Sequence, residues 1–316
     1  MTGTPRKDAG GTPRKDAGVP PRRVVIGCNG SEGAFDAVAV ARLLAGDEPS
    51  FLLVDVAPRG PLGRRFSAHV PGDFSIARHA LAVTAGPDGV ETRSVHADSA
   101  AEVLADIAAD ERHDLIVVGS PHRGPLGRIL LGSVARDLIH RSSVPVAIAP
   151  RGFGHTATPA RIVVGFDGSP EAEAALEWAD AFAAARHAEL DVFTVATPPG
   201  AIPGALGHPA PGPAEPFEAL EAAADRIAAG TTAHAHLRIG PAAPNLSAAA
   251  ATADLLVVGT RLHGAPAEAL VGSVADELVT APRCPVVVVP LRNRPSGGRR
   301  SRPDGESTLT AEDARA

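Results

Sequence analysis

Two stretches of this 316-residue chain place glycines where they could hold an anion. GSPHRGPLGRILLGSV occupies residues 119 to 134, and GTRLHGAPAEALVGSV occupies 259 to 274. Each begins at the end of an apolar run, LIVVG or LLVVG, and so forms a glycine-rich turn closing a buried strand. Glycine lets backbone N–H groups approach phosphate oxygens, and Gly132-Ser133 or Gly272-Ser273 would open a helix whose amino end favours an anion. The same residues also suit plain turns, with Ser133 and Ser273 as N-caps worth ~1 kcal/mol. A second polar pair, Asn29 and Asp167, follows the first apolar run of each half. Before glycine and serine, as here, such residues commonly form turns or helix caps.

Other chemistries lack their residues. Lysine occurs only at Lys7 and Lys15, so the patterned region has none for a P-loop, a kinase-type clamp or a Schiff base. Cys28 and Cys284 form neither a disulfide framework nor a metal spacing and read as small core residues. The 12 histidines include no H-E-x-x-H pair, and no zinc site is expected. A net charge of −6 with 3% aromatic residues argues against a nucleic-acid surface. No activated nucleophile or paired-carboxylate spacing stands out, so the reading is not of an enzyme. No apolar run is long enough to span a membrane, and the polar N-terminus lacks a signal-peptide core; the expectation is a cytoplasmic protein.

The elements that must position these corners occur twice. RRVVIGCNGSEGAFDAVAVARLLA from Arg22 reappears as ARIVVGFDGSPEAEAALEWADAFAA from Ala160, and SSVPVAIAP reappears as APRCPVVVVP. Gly27 and Gly165 are offset by 138 residues, Gly132 and Gly272 by 140, as are Pro145 and Pro285. In the first copy, RVVIG, SFLLVDV, ETRSVHA, DLIVVG and PVAIA read as strands; in the second, RIVVG, ELDVFTV, AHAHLRI, DLLVVG and PVVVV do. Apolar strands alternating with alanine-rich helices predict a doubly wound α/β fold with a five-stranded parallel sheet, made twice. The boundaries read as a polar tail over 1–20 containing GTPRKDAG twice, a domain over 21–150, a linker over 151–158, a second domain over 159–291, and a polar tail over 292–316. Long Pro/Gly-rich loops are expected at 57–73 and 198–216, as binding loops or as plain linkers.

VVGFDGSPEAEAAL, the paired DLIVVGS and DLLVVGT, ILLGSV and ALVGSV, and the closing VPVAIAP and CPVVVVP together resemble the universal stress protein family in its tandem form, over roughly residues 20 to 291. The resemblance implies a Rossmann-like fold with a crevice between strands one and four, where ATP-binding members hold their nucleotide. Their motif is glycine, two residues, glycine, nine residues, glycine, then serine or threonine. The positions matching it are Gly119, His122, Gly132 and Ser133 in the first copy, and Gly259, Leu262, Gly272 and Ser273 in the second. Both copies lack the middle glycine. Gly124 and Gly264 stand two places further on and could form a shifted anion nest or a left-handed turn. Asp167 matches the aspartate that ATP-binding members carry after strand one, able to accept hydrogen bonds and help a metal, whereas the first copy has Asn29, which keeps an acceptor and loses the charge. Val56 and Val195 match the position that packs against adenine, with core or rim packing as the rival role.

The resemblance further implies a stress-response regulatory or protective protein, with ATP and Mg as the ligand to test and the fifth strands pairing edge to edge. That pairing would make the chain an internal pseudo-dimer, open to further homodimerisation. A nucleotide-independent scaffold for protein partners is the alternative, and a slow ATPase resting on Asp167 is the third reading. Copying of one unit is the premise of all three. One continuous sheet, or Gly119 and Gly132 far from the crevice beside Asn29, would overturn it.

Overall fold

All ten apolar runs are strands in the structure, a computed structural model in which residues 19–59, 74–120, 133–154, 158–196, 230–260 and 274–291 are described, with Leu220, Ala223 and Ile227. The first half contains β1 (Arg23–Gly27), β2 (Ser50–Ala57), β3 (Val90–His96), β4 (Leu115–Gly119) and β5 (Val146–Ala149). The second contains β6 (Arg161–Gly165), β7 (Glu189–Ala196), β8 (Ala233–Ile239), β9 (Leu255–Thr260) and β10 (Val286–Pro290). Between them lie α1 (Glu32–Leu44), α2 (Ser75–Ala85), α3 (Ala100–Asp110), α4 (Ser133–Arg141), α5 (Pro170–Arg186), α6 (Ala242–Ala250) and α7 (Val274–Thr280). Strand order is β3-β2-β1-β4-β5 in the first half and β8-β7-β6-β9-β10 in the second, each internally parallel. Order therefore reverses between β1 and β4, and again between β6 and β9. In a parallel sheet wound both ways, those are the places where crossovers part and leave a crevice.

Two apolar layers enclose the sheet. On one face Val24, Ile26, Leu115 and Val117 lie in the layer of α1 and α2, and Ile162, Val164, Leu255 and Val257 in its continuation under α5. On the other, Val25, Ile116 and Val118 lie in the layer of α3 and α4, and Val163, Leu256 and Val258 in its continuation under α6 and α7. Such burial on both faces is why the central strands read as continuous β-branched runs. Small alanines let the helices lie close: α1 buries Ala34, Ala37 and Ala41, and α5 buries Ala172, Ala175 and Ala179. The start of α5 is locally encoded by Ser169, whose Oγ accepts from the Ala172 N–H at 3.2 Å, and by Pro170 in the first turn. The first glycine of each corner follows from the same close packing. A Cβ on Gly119 would run into the backbone carbonyl of Gly33 in α1, and one on Gly259 into that of Glu171 in α5. Both glycines are thus required by helix-on-strand contact.

The halves meet where β5 and β10 pair antiparallel, Val286 opposite Ile148, Val287 opposite Ala147 and Val288 opposite Val146. Their hydrogen bonds merge the two five-stranded arrays into one ten-stranded sheet. One continuous sheet, set in the sequence reading as the finding that would overturn copying of one unit, is present and does not overturn it: the sheet follows from the expected edge pairing, and strand order still shows two copies. Ala147 and Val287 are repeat equivalents facing each other, so a pseudo-twofold axis passes through them. Arg136 and Asp276, 140 residues apart, are equivalents too, and across this axis Arg136 Nε donates to Asp276 Oδ1 at 3.1 Å. His140 Nε2 lies 3.0 Å from the same oxygen, and Asp276 is 6% exposed. Two identical halves would set like against like here. In this chain the copies have diverged into a complementary pair.

Candidate functional site: two crevices of unequal size

The reversal between β1 and β4 opens a cavity of about 320 Å³ in the first half. Its walls include Cys28 and Asn29 beyond β1, Val54 and Val56 on β2, Leu104 on α3, Gly119 ending β4, and Val134 in α4. Three of the expected site residues of this half, Asn29, Val56 and Gly119, therefore meet in one place. Asn29 already has local duties: its Oδ1 accepts from the Ser31 N–H at 3.2 Å and from Ser31 Oγ at 2.7 Å. It shapes the turn into α1, and with both lone pairs of its oxygen engaged, its amide N–H₂ is what it could offer a ligand.

The same reversal between β6 and β9 leaves only about 120 Å³ in the second half. Asp167, Val195 and Gly259 meet there, so the frame is kept. Its filling is different. At the repeat offset of 138 residues, Phe166 stands where the first half has Cys28; Phe193 stands where it has Val54, at an offset of 139, since Gly27 pairs with Val54 and Gly165 with Phe193 in the sheet. Phe166 is 3% exposed and Phe193 6%, and both line the reduced space. Phe193 is held by a stack on His236, with centroids 4.4 Å apart, and by the Arg238 guanidinium 5.7 Å from its ring centre. His236 is tied in turn to buried Asp191, its Nε2 2.8 Å from Oδ1, while Arg161 Nε donates to Oδ2. Burial pushes the Asp191 carboxyl upward, but hydrogen bonds from His236 and Arg161 outweigh it and hold the carboxyl below its ordinary value. Asp167 Oδ1 accepts from the Ser169 N–H at 3.0 Å, the turn role foreseen as its competing function.

The family model described as the universal stress protein family matches residues 21–150 and 159–290. The chain belongs to the universal stress protein family. It is similar to a universal stress protein of Mycolicibacterium smegmatis, 32% identical over 203 residues, covering 62% of this chain and 67% of that one. A universal stress protein of Mycobacterium tuberculosis is 32% identical over 190 residues, 55% of this chain, and the match spans 61% of that relative's length. Among solved structures, a universal stress protein from Archaeoglobus fulgidus shares the fold with a TM-score of 0.58 at 19% identity, over 86% of this chain and 97% of the other.

The structure sorts the remaining residues of the universal stress protein pattern. Ser133 is the first residue of α4. His122 and Gly132 of the first corner, Leu262, Gly272 and Ser273 of the second, and the shifted Gly124 and Gly264 lie outside the described residues. Among the described residues no group of three His, Cys, Asp or Glu side chains is placed to hold a metal ion. No helix among them is long and apolar enough to cross a membrane. Both cysteines are buried and free. Burial pushes the Cys28 thiol up, and burial aided by Asp254 pushes that of Cys284 up to about 12, so neither is a ready nucleophile. Sequence reasoning took Cys28 for a small core residue and passed over Val54, Phe166 and Phe193, the residues that with it set how much space each crevice has. The available signal was the mismatch between aligned repeats at these four positions.

Proposed function

We propose that this universal stress protein binds an adenine nucleotide in its first half, as a regulatory ligand and not as a substrate for rapid turnover. The size of the first crevice carries the reading. Its volume of about 320 Å³ falls within the range of about 300–1,000 Å³ usual for small-molecule sites, and the 120 Å³ of the second does not. Apolar Val54, Val56 and Leu104 suit a flat base, and the polar end at Asn29 and the start of α4 suits the phosphates. Gly132 and Ser133 would complete the phosphate end by their match to the family motif, with His122 in place of the middle glycine. Asp167, Val195, Gly259, Gly272 and Ser273 then belong to a second site that has lost its room. ATP is the nucleotide to test first, with Mg carried by the phosphates.

The scaffold reading has one observation in its favour. Gly119 and Gly259 are both explained by helix packing, so the first glycine of each corner is no independent sign of a phosphate. On either reading the chain is an internal pseudo-dimer of units over 21–150 and 159–291 joined by 151–158, acting in the cytoplasm.

Calorimetric titration with ATP and Mg decides between them. The first-half reading expects one bound nucleotide per chain and its loss in Cys28→Phe, which copies the second half's filling. Thermal melting confirms that the variant folds. Absence of heat and of thermal stabilisation in the wild-type chain would favour the scaffold.

A further inference from the structure

The largest of the three cavities compared lies in neither crevice. It has a volume of about 370 Å³ and sits on the seam between the halves. Its walls are Ala174 and Trp178 on α5, Asp114 and Pro145 at the amino ends of β4 and β5, Leu291 just past β10, and Val19 ahead of β1.

The pseudo-twofold axis gives this cavity a counterpart, and the counterpart is occupied by polypeptide. After β5 the chain turns through Gly152, at φ 72°, and lies along α1. There the Gly152 N–H donates to Asp36 Oδ2 at 3.0 Å, Phe153 packs on the core, and Arg151 lies 3.6 Å from Glu32. Further along, Asp254 Oδ2 accepts from the Ala160 and Arg161 N–H groups at 2.8 and 2.9 Å. At the seam cavity Asp114 Oδ2 repeats that arrangement, accepting from the Arg22 and Arg23 N–H groups at 2.9 Å. A duplicated chain builds two such grooves and has one linker. The cavity stands where the second linker would run, with Leu291 leaving at one end and Val19 arriving at the other.

The walls have also changed chemistry. At the 138-residue offset, Phe35 and Ala39 of α1 become Glu173 and Glu177 of α5, both lining the cavity. A segment suited to this groove is extended and carries positive side chains. The sequence continuing from Leu291 is Arg292-Asn293-Arg294, and at the 140-residue offset Arg292 is the equivalent of Gly152.

We propose that the seam cavity is a polypeptide-docking groove whose occupant is this chain's own segment beginning at Arg292, which lies outside the described residues. Charge attraction to Glu173 and Glu177 selects it, and direct continuity with Leu291 gives it a high effective concentration. The proposal is independent of nucleotide binding.

Trp178 is the only tryptophan of the chain, lines the groove and is 5% exposed, so its fluorescence reports occupancy. The experiment measures acrylamide quenching of Trp178 in the full chain, in Arg292→Glu with Arg294→Glu, in Glu173→Arg with Glu177→Arg, and in the combined charge swap. Each reversal alone is expected to raise quenching and red-shift emission, and the swap to restore both towards the wild type. A synthetic peptide of residues 291–302 added to the Arg292→Glu, Arg294→Glu chain is expected to lower quenching again. Adding Glu173→Gln and Glu177→Gln should weaken that effect about tenfold, as the loss of two charge pairs implies. Unchanged quenching in both reversals, or a swap no better than either reversal, overturns the proposal. So does an effect produced only by reversing Arg6, Lys7, Arg14 and Lys15, which would make the amino-terminal segment the occupant.

Discussion

The two crevices share a backbone plan and differ in what fills it. Both close on a glycine that admits a helix carbonyl, Gly33 against Gly119 and Glu171 against Gly259, and both place a valine of the second strand at the rim. Where the first half has Cys28 and Val54, the second has Phe166 and Phe193, and the volume falls from about 320 to about 120 Å³. The frame of a site and the space in it are thus set by different residues. Duplication preserved the frame because strand order and helix packing need it, whereas nothing in the fold keeps both cavities open.

If the frame is shared, damage to it should be equally severe in either half. Gly119→Val and Gly259→Val are each expected to destabilise by about 3 kcal/mol, since the backbone they meet cannot rotate away. Urea denaturation measures this, and tolerance of one but not the other would break the equivalence. A smaller cost, about 2 kcal/mol, is expected for Asp276→Ala at the seam, which strands Arg136 and His140 without their common acceptor. Arg136→Asp combined with Asp276→Arg should recover part of it, sharpening the view that the halves diverged to fit each other.

The smallest effects are pH-dependent and differ between the halves. His113, 7% exposed and equivalent to Ala253 in the other half, is pushed down by burial and by Arg23. Its unfolded form takes up a proton at about pH 6.5 while the folded form stays neutral, so its contribution is full above that pH and declines as pH falls through the window below it. Asp191 is held below its ordinary value, so its contribution is present above about pH 3.9 and lost as pH falls through the lower folded value. His113→Gln should flatten the stability profile just below neutrality, and Asp191→Asn only the acid limb. Unfolding free energies across pH 3 to 7 test both signs.

The fold was legible because its strands are buried on both faces, which writes them as unbroken runs such as LIVVG and VVVVP, and because the runs recur at a near-constant offset. Even the outer strands, ETRSVHA and AHAHLRI, stood out from the alanine-rich helices. The merger of the sheets was half legible: the apolar closing strands predicted their pairing, but one continuous sheet, which that pairing produces, was set against copying of one unit. The site was less legible, for two reasons. A glycine in a phosphate-type corner looks the same whether a ligand or a distant helix carbonyl needs the space, and Gly119 answers to Gly33, far away in the chain. Phe166 and Phe193 look like ordinary core residues until the crevice between β6 and β9 is assembled around them.

One crevice is open and the other filled. A crystal structure of the chain grown with excess ATP and Mg tests it most directly. The expected result is nucleotide density against Val56 and Leu104 in the first half and none beside Phe166 and Phe193. Nucleotide in the second crevice, in both, or in neither would show that Phe166 and Phe193 do not decide which half binds.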